Sequence, residues 1–445
     1  MSSSRASSPD TPILPEPHER YFAAPLAASD PELDRIIDRE YARQRDRIEL
    51  IASENLVSRA VLEAQGSLMT NKTVEGYPGA RYHGGADQAD AIERLAIRRA
   101  CKLFACRFAN VQPHSGSQAN QVVLFALLKP GDRILSLSLA AGGHLSHGAG
   151  PNQTGKWYDV RHYGVDRASS LIPMAEVAAL ARAHRPKLII AGGSAYPRVM
   201  DFAAFRKIAD DVGAVLLVDM AHIAGLVAGG AHPSPLPHAH VVTTTTYKSL
   251  RGARGGLILT DDEALAKRLD GALFPGVQGS PLLHAMAGKA ASLGEALRPE
   301  FKTYAEATLR NARALAGALM DRGQEVVSGG TDTSLLLLDL RPKGLTGNLA
   351  CDRLEAAGLT CNKNAVPFDP LPPKVTSGLR LSANAGTTRG LGPEAFALIG
   401  HLIARVLDEL AADPDRPAGP AVEAAQAEIA QLCRRMPFYP SASGQ

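Results

Sequence analysis

Lys248 closes the run Thr243-Thr244-Thr245-Thr246-Tyr247-Lys248 and stands just before the Gly-rich stretch Arg251-Gly252-Ala253-Arg254-Gly255-Gly256. β-Branched threonines favour a strand, so the amine is expected where a strand's carboxyl end opens into a crevice, the place where open α/β sheets bind ligands. A lysine held there is a candidate Schiff-base former. Upstream, Val215-Leu216-Leu217-Val218-Asp219-Met220-Ala221-His222 reads as a buried strand ending in an acid and an imidazole. Asp219 at such an end can pair with a protonated pyridine nitrogen, which is the electronic demand of pyridoxal phosphate used as an electron sink. A third piece, His114-Ser115-Gly116-Ser117-Gln118-Ala119-Asn120, follows the short strand Ala109-Asn110-Val111-Gln112 and opens an apolar helix from Gln121 to Leu128. Its N–H groups and hydroxyls are aimed at an anion, here a phosphate. Singly, each piece has an ordinary explanation: a solvated lysine, a turn-forming aspartate, a serine N-cap. Their joint presence argues for one site.

These groups need a scaffold, and 445 residues suffice for two or more domains. From the amphipathic helix marked by Ile92, Leu95, Ala96, Ala100 and Leu103 onward, short apolar strands alternate with helices. The strands are expected at 133–139, 187–191, 214–218, 240–245 and 256–260, the signature of a mostly parallel sheet covered on both faces. After Arg298 a long helix leads to strands at 334–340, 359–362 and 378–382 and a helix at 393–410, a smaller α+β unit. The expected division is a disordered tail (1–20), an N-terminal helical arm (21–60), a large cofactor-binding domain (61–298) and a small C-terminal domain (299–445). Residues 53–85 read as a long irregular loop, and such loops are usually functional. A Pro-rich break at 414–420 precedes a last helix, 422–434.

Composition narrows the partners. A net charge of +3, with no basic run interleaved with aromatics, speaks against nucleic acid or an anionic membrane. Nor is there an apolar window long enough to span a bilayer. Five scattered cysteines without metal-ligand spacing suit reduced thiols and a cytoplasmic setting. Two histidines close together, His144 and His147, suggest a metal only weakly, since no carboxylate or cysteine accompanies them in sequence.

Taken together the chain resembles the serine hydroxymethyltransferase family, from about Asp30 to Pro440. The marks are Glu49-Leu50-Ile51-Ala52-Ser53-Glu54-Asn55, Glu75-Gly76-Tyr77-Pro78-Gly79, the His114 to Asn120 run, Val218 to His222, Thr243 to Lys248, and Ser377-Gly378-Leu379-Arg380. The resemblance implies a pyridoxal 5'-phosphate enzyme of fold type I, with tetrahydrofolate as co-substrate, acting as a homodimer or tetramer whose active sites are shared between subunits. It implies Lys248 as covalent anchor and Asp219 as partner of the pyridine nitrogen. His144 would stack on the ring, His222 contact its phenolic oxygen, Ser115, Gly116 and Ser117, with Gln118, hold the phosphate, and Gly279 join the cofactor-binding set. Arg380 and Ser53 would bind the substrate, with Arg380 taking its carboxylate, since a strand Arg is costly to bury without an anion. Glu75 and Tyr82 would be catalytic, and Glu75, Leu139, Gly143 and Asn364 would contact folate.

Departures from the family's usual residues bear on the substrate. Thr73 stands where the family usually has Tyr, His83 where it has a second Tyr, Tyr247 where it has His, and Ser382-Ala383-Asn384-Ala385 where it has Gly-Thr-Pro-Ala. Removing a ring beside Cα makes room for a methyl group, worth about 1–3 kcal/mol when filled. This pattern is similar to the family members that act on 2-methylserine and yield D-alanine, with Thr73 and Tyr247 shaping the substrate pocket. The alternatives are ordinary serine/glycine transfer, a folate-independent aldolase or threonine transaldolase, and a silent paralogue. Keeping Lys248, Asp219 and Arg380 together argues against the last.

Overall fold

The computed structural model describes residues 18–415 and 419–439. Its largest sheet has seven strands in the order Phe108–Asn110, Gly256–Thr260, Val241–Thr245, Val215–Asp219, Leu188–Ala191, Arg133–Leu137, Asp159–Tyr163. The five from Val241–Thr245 to Asp159–Tyr163 run parallel, while Gly256–Thr260 is antiparallel to both of its neighbours. The sheet is therefore mixed. Side chains alternate between two apolar layers: Ile189, Leu216 and Val218 enter one, Leu188, Ile190 and Leu217 the other. A strand buried on both faces reads as an unbroken apolar run, which is why Leu188–Ala191 was legible. The edge strand Asp159–Tyr163, Asp-Val-Arg-His-Tyr, was missed because most of its side chains face solvent and carry no such run.

A second sheet, wholly antiparallel, orders Glu325–Val326, Leu335–Asp339, Gly378–Ser382 and Asn362–Asn364. It packs with the helices Pro299–Asp321 and Pro393–Ala412 into a separate apolar cluster. Gly400 lets these two helices close up, since a Cβ there would lie 2.8 Å from the Ala318 methyl. Ile48 and Leu50 belong to the same cluster, because Ile48–Glu49 pairs in parallel with Leu359–Thr360. The helix Pro31–Asp46 leads into that strand, capped by Asp30, whose carboxylate accepts from Leu33 N at 3.0 Å. A short helix, His18–Ala23, begins within the stretch read as tail. The remainder of that tail, 1–17, lies outside the described residues, as do 416–418 of the Pro-rich break. Among the described residues no helix is long and apolar enough to cross a membrane.

The segment 53–85 is not uniformly irregular. Ser58 caps a helix, Arg59–Gln65, and a hairpin joins Gly76–Tyr77 to Ala80–Arg81. Its few apolar positions and many glycines hid both. Arg81 fastens this hairpin: Nε reaches Asp90 Oδ1 at 2.8 Å, Nη1 the Gly76 carbonyl at 2.6 Å, and Nη2 the Glu93 carboxylate. The Glu93 side chain is 1% exposed, so without Arg81 a buried carboxyl loses its ion-pair partner. Arg81→Ala is expected to lower unfolding free energy by about 3–5 kcal/mol. Urea unfolding checks this, and a loss below about 1 kcal/mol would show the pair to be dispensable.

Candidate active site

Each group at the crevice comes from the carboxyl end of a parallel strand or from a helix start beside it. Tyr247 and Lys248 follow Val241–Thr245, Asp219 ends its strand, and His144 lies on the turn after Arg133–Leu137. That turn depends on Gly142 (φ +99°), whose Cβ would strike the backbone of Ala195 and Tyr196. Ser115 caps the helix Gly116–Leu127, its hydroxyl accepting from Gln118 N at 3.1 Å. Gly116 must lack a side chain, because a Cβ would sit 2.6 Å from Thr245 Cγ2. The helix start is thereby pressed against the strand that carries the lysine. Ser115, Gly116, Ser117, His144, His147, Asp219, His222, Tyr247 and Lys248 line one cavity with an empty volume of ≈ 390 Å³.

Lys248 is buried, and its Nζ lies 2.9 Å from His222 Nε2. Burial, with Arg380 and Arg254 adding repulsion against the pull of Asp219, brings the amine down to about 8. It is a usable nucleophile near neutral pH. Its backbone is braced by Asn55, whose Nδ2 donates to the Lys248 carbonyl at 2.9 Å. Asp219 behaves oppositely. Burial would raise its carboxyl, but the hydrogen bond and field of His147, the nearby His144 and the Asn120 hydrogen bond outweigh this and hold it well below the carboxylate range. The bonds are His147 Nε2 at 3.0 Å and Asn120 Nδ2 at 2.8 Å, both on Oδ2. Burial lowers His144 to about 4. Its Nδ1 accepts from Ser146 N at 3.2 Å, so a neutral ring with Nε2–H faces the cavity. Burial likewise keeps His222 neutral.

His147 and Asn120 were missed as site residues. The only sequence signals were that His147 lies one turn from His144 and that Asn120 lies one helical turn from Gly116. His144, His147 and Asp219 bring ligand atoms within 4.8 Å of one another, the form of a metal site. His147 Nε2 is nevertheless engaged by Asp219, and His144 Nδ1 lies 2.7 Å from Ser146 Oγ.

Arg380, on Gly378–Ser382, donates to two neutral oxygens, the Ser194 carbonyl at 2.8 Å and Asn362 Oδ1 at 3.2 Å. Burial lowers it to about 10, and it has no carboxylate partner among the described residues. A buried guanidinium in that position is set to take an external anion. Next to it a larger cavity, with an empty volume of ≈ 1110 Å³, is lined by Leu139, Gly143, His144, Ser194 and Asn364, so three of the four expected folate contacts lie together. Ser53 lines a third cavity that shares Tyr247 with the first. Four expected residues stand apart from the lysine's cavity. Glu75 neighbours Gly279, Tyr82 packs on Phe274 at 5.6 Å between ring centroids, and Thr73 and Tyr82 are exposed on the single chain.

Pyridoxal phosphate asks a protein for an amine that loses its proton readily and a carboxylate that never gains one, facing each other across a small cavity with an anion seat. The donor set here fits that group. Fold and site thus define a fold type I pyridoxal-phosphate enzyme. Comparison with known proteins is finer: the model of the family described as serine hydroxymethyltransferase matches residues 26–403. The serine hydroxymethyltransferase of Paramagnetospirillum magneticum is 62% identical over 424 residues, covering 95% of this chain and 99% of that one. That of Hyphomonas neptunium is 61% identical over 425 residues, covering 95% and 97%. Serine hydroxymethyltransferase 2 of Rhodospirillum rubrum is 58% identical over 423 residues, covering 95% and 98%. The chain belongs to the serine hydroxymethyltransferase family, whose members are one-carbon transferases using pyridoxal 5'-phosphate with tetrahydrofolate as co-substrate.

Only the unprotonated Lys248 amine can attack an aldehyde. Capture of pyridoxal 5'-phosphate by the apoenzyme is therefore expected to speed up with pH and level off above about 8. Stopped-flow absorbance reads the rate, and borohydride reduction followed by peptide mapping should find the label on Lys248. A label on another lysine, or a rate flat across this range, contradicts the assignment.

Proposed function

We propose that this protein transfers the hydroxymethyl group of 2-methylserine to tetrahydrofolate, releasing D-alanine and 5,10-methylenetetrahydrofolate. Thr73 carries the reading. Where the family usually has a phenol, a far smaller side chain stands beside Glu75 in the segment fastened by Arg81. The vacated volume accepts a methyl on Cα, worth about 1–3 kcal/mol against the same substrate without it. Replacement of the hydroxymethyl group by a proton with retention turns the L-serine-like substrate into D-alanine. A second reading, serine/glycine transfer, is favoured by the names of the similar proteins, all serine hydroxymethyltransferases.

When bound, pyridoxal phosphate supplies an electron sink for the pair left on Cα as the Cα–Cβ bond breaks. The chain's own groups do the rest. Lys248 anchors the cofactor, and Asp219, His144 and His222 hold its ring, while Ser115, Gly116 and Ser117 seat its phosphate. Arg380 grips the substrate carboxylate, with Ser53 and Tyr247 beside it. Leu139, Gly143 and Asn364 hold the pterin in the larger cavity. Glu75 handles the proton as the hydroxymethyl group moves, with Tyr82 next to it. Thr73, Glu75, Tyr82 and Gly279 act in the neighbouring subunit's site of a homodimer, which accounts for their distance from Lys248 in their own chain. The proposed units are the arm 21–60, the cofactor domain 61–298 and the small domain 299–445, and the five free thiols suit a cytoplasmic protein.

Thr73→Tyr is expected to cost D-alanine turnover at least about tenfold more than glycine turnover, each assayed with methylenetetrahydrofolate. An unchanged D-alanine to glycine ratio of kcat/KM refutes the pocket and leaves serine/glycine transfer, and activity undiminished without folate points to an aldolase. Sharing of sites is tested by mixing two inactive variants, Lys248→Ala and Glu75→Ala. Hybrid dimers rebuild one intact site, so partial activity should return, whereas a mixture as inactive as its parts argues for self-contained subunits.

A further inference from the structure

Lys289 sits in the middle of the helix Leu283–Ala296 and is 3% exposed, yet it takes no part in the chemistry above. Its Nζ donates to three backbone carbonyls: Val111 at 2.7 Å, Pro113 at 2.8 Å and Gly256 at 3.1 Å. A neutral amine has two N–H donors and a lone pair, so one of these carbonyls would face a lone pair. The ammonium has three donors and no acceptor, and matches the site. The three carbonyls lie around the turn that ends in Ser115. Gly256 N in turn donates to the Pro113 carbonyl at 2.9 Å, and a Cβ on Gly256 would press on the Ser115 carbonyl. A Cβ on Gly255 would collide with Lys289 Cε. The glycine pair after Arg254 thus has a purpose, to let a lysine stem and the Ser115 turn meet. The charge is felt nearby, for after burial it is Lys289 that lowers His114 further.

We propose that Lys289 is a positioning residue for the cofactor's phosphate: a buried cation that ties the Pro113–Ser115 turn to the Gly255-Gly256 backbone and adds its field to the start of the helix Gly116–Leu127. It works through Ser115 and its neighbours, without touching the ligand. Water screens it little, so its attraction for a dianion persists in salt. Burial outweighs the pull of the Glu93 carboxylate and brings the ammonium down to about 7, a fall that the three carbonyls oppose by favouring the charged form.

The inference rests on the Ser115–Ser117 turn being the phosphate seat. Full-length apoenzyme is titrated with pyridoxal 5'-phosphate and, separately, with pyridoxal, which keeps the ring and aldehyde but lacks the phosphate. Lys289→Met is expected to weaken pyridoxal phosphate by about tenfold or more while leaving pyridoxal within about twofold. Equal losses for both would mean a merely structural lysine, and no loss for either would mean an idle one. Either result overturns the inference. Gly255→Ala, which displaces the stem while keeping the amine, reads the same ratio should the methionine variant not fold, and an unchanged ratio there overturns it too. Ser117→Ala separates the two ideas. If Ser117→Ala spares the ratio, the seat itself is misassigned; if it lowers the ratio and Lys289→Met does not, only the lysine's role falls.

Discussion

The structure turns on keeping one carboxylate ionised where water does not reach. Asp219 is placed at the end of a strand buried on both faces, where a lone acid would take up a proton. Two donors on a single oxygen prevent this, and each is fixed elsewhere. Asn120 also donates to Ser146 Oγ at 2.9 Å and accepts from Thr243 Oγ1 at 2.6 Å. One amide thereby links the helix Gly116–Leu127, the turn after Arg133–Leu137 and the strand leading to Lys248. The geometry of the site follows from satisfying a single buried charge.

The remaining charges are unbalanced in the other direction. Lys248, Arg380 and Arg254 gather at the crevice, with Arg254 stacked 4.0 Å from the Tyr247 ring, and they face fewer acids than cations. The missing negative charges match a phosphate and a substrate carboxylate. Binding either anion raises the energy of the neutral amine relative to the ammonium, so cofactor and substrate adjust the proton affinity of the lysine they meet.

Much of this was legible in the sequence because burial leaves a plain mark. The strands through Leu188–Ala191, Val215–Asp219 and Val241–Thr245 are continuous apolar or threonine runs, and Lys248, Asp219 and the Ser115 turn stand at their ends. What escaped detection depends on partners far away in the chain. His147 suggests a metal only weakly in sequence, and its partner Asp219 lies 72 residues away. Nothing in the sequence around Lys289 says that three carbonyls converge on it. Thr73 and Tyr82 are the reverse case: motif suggests them, but on their own chain both are exposed.

The pairing of Ile48–Glu49 with Leu359–Thr360 has a consequence for how the protein is made. Arg47 and Glu355, joined as an ion pair beside that ladder, are 308 residues apart in the chain. During synthesis the segment that completes the second apolar cluster leaves the ribosome first and has to wait for nearly all the rest. At about 5–20 residues per second that wait lasts tens of seconds, with Ile48 and Leu50 lacking their native partners throughout. The polar, strongly charged helix just upstream, with five arginines from Arg35 to Arg47, keeps the waiting strand in solution.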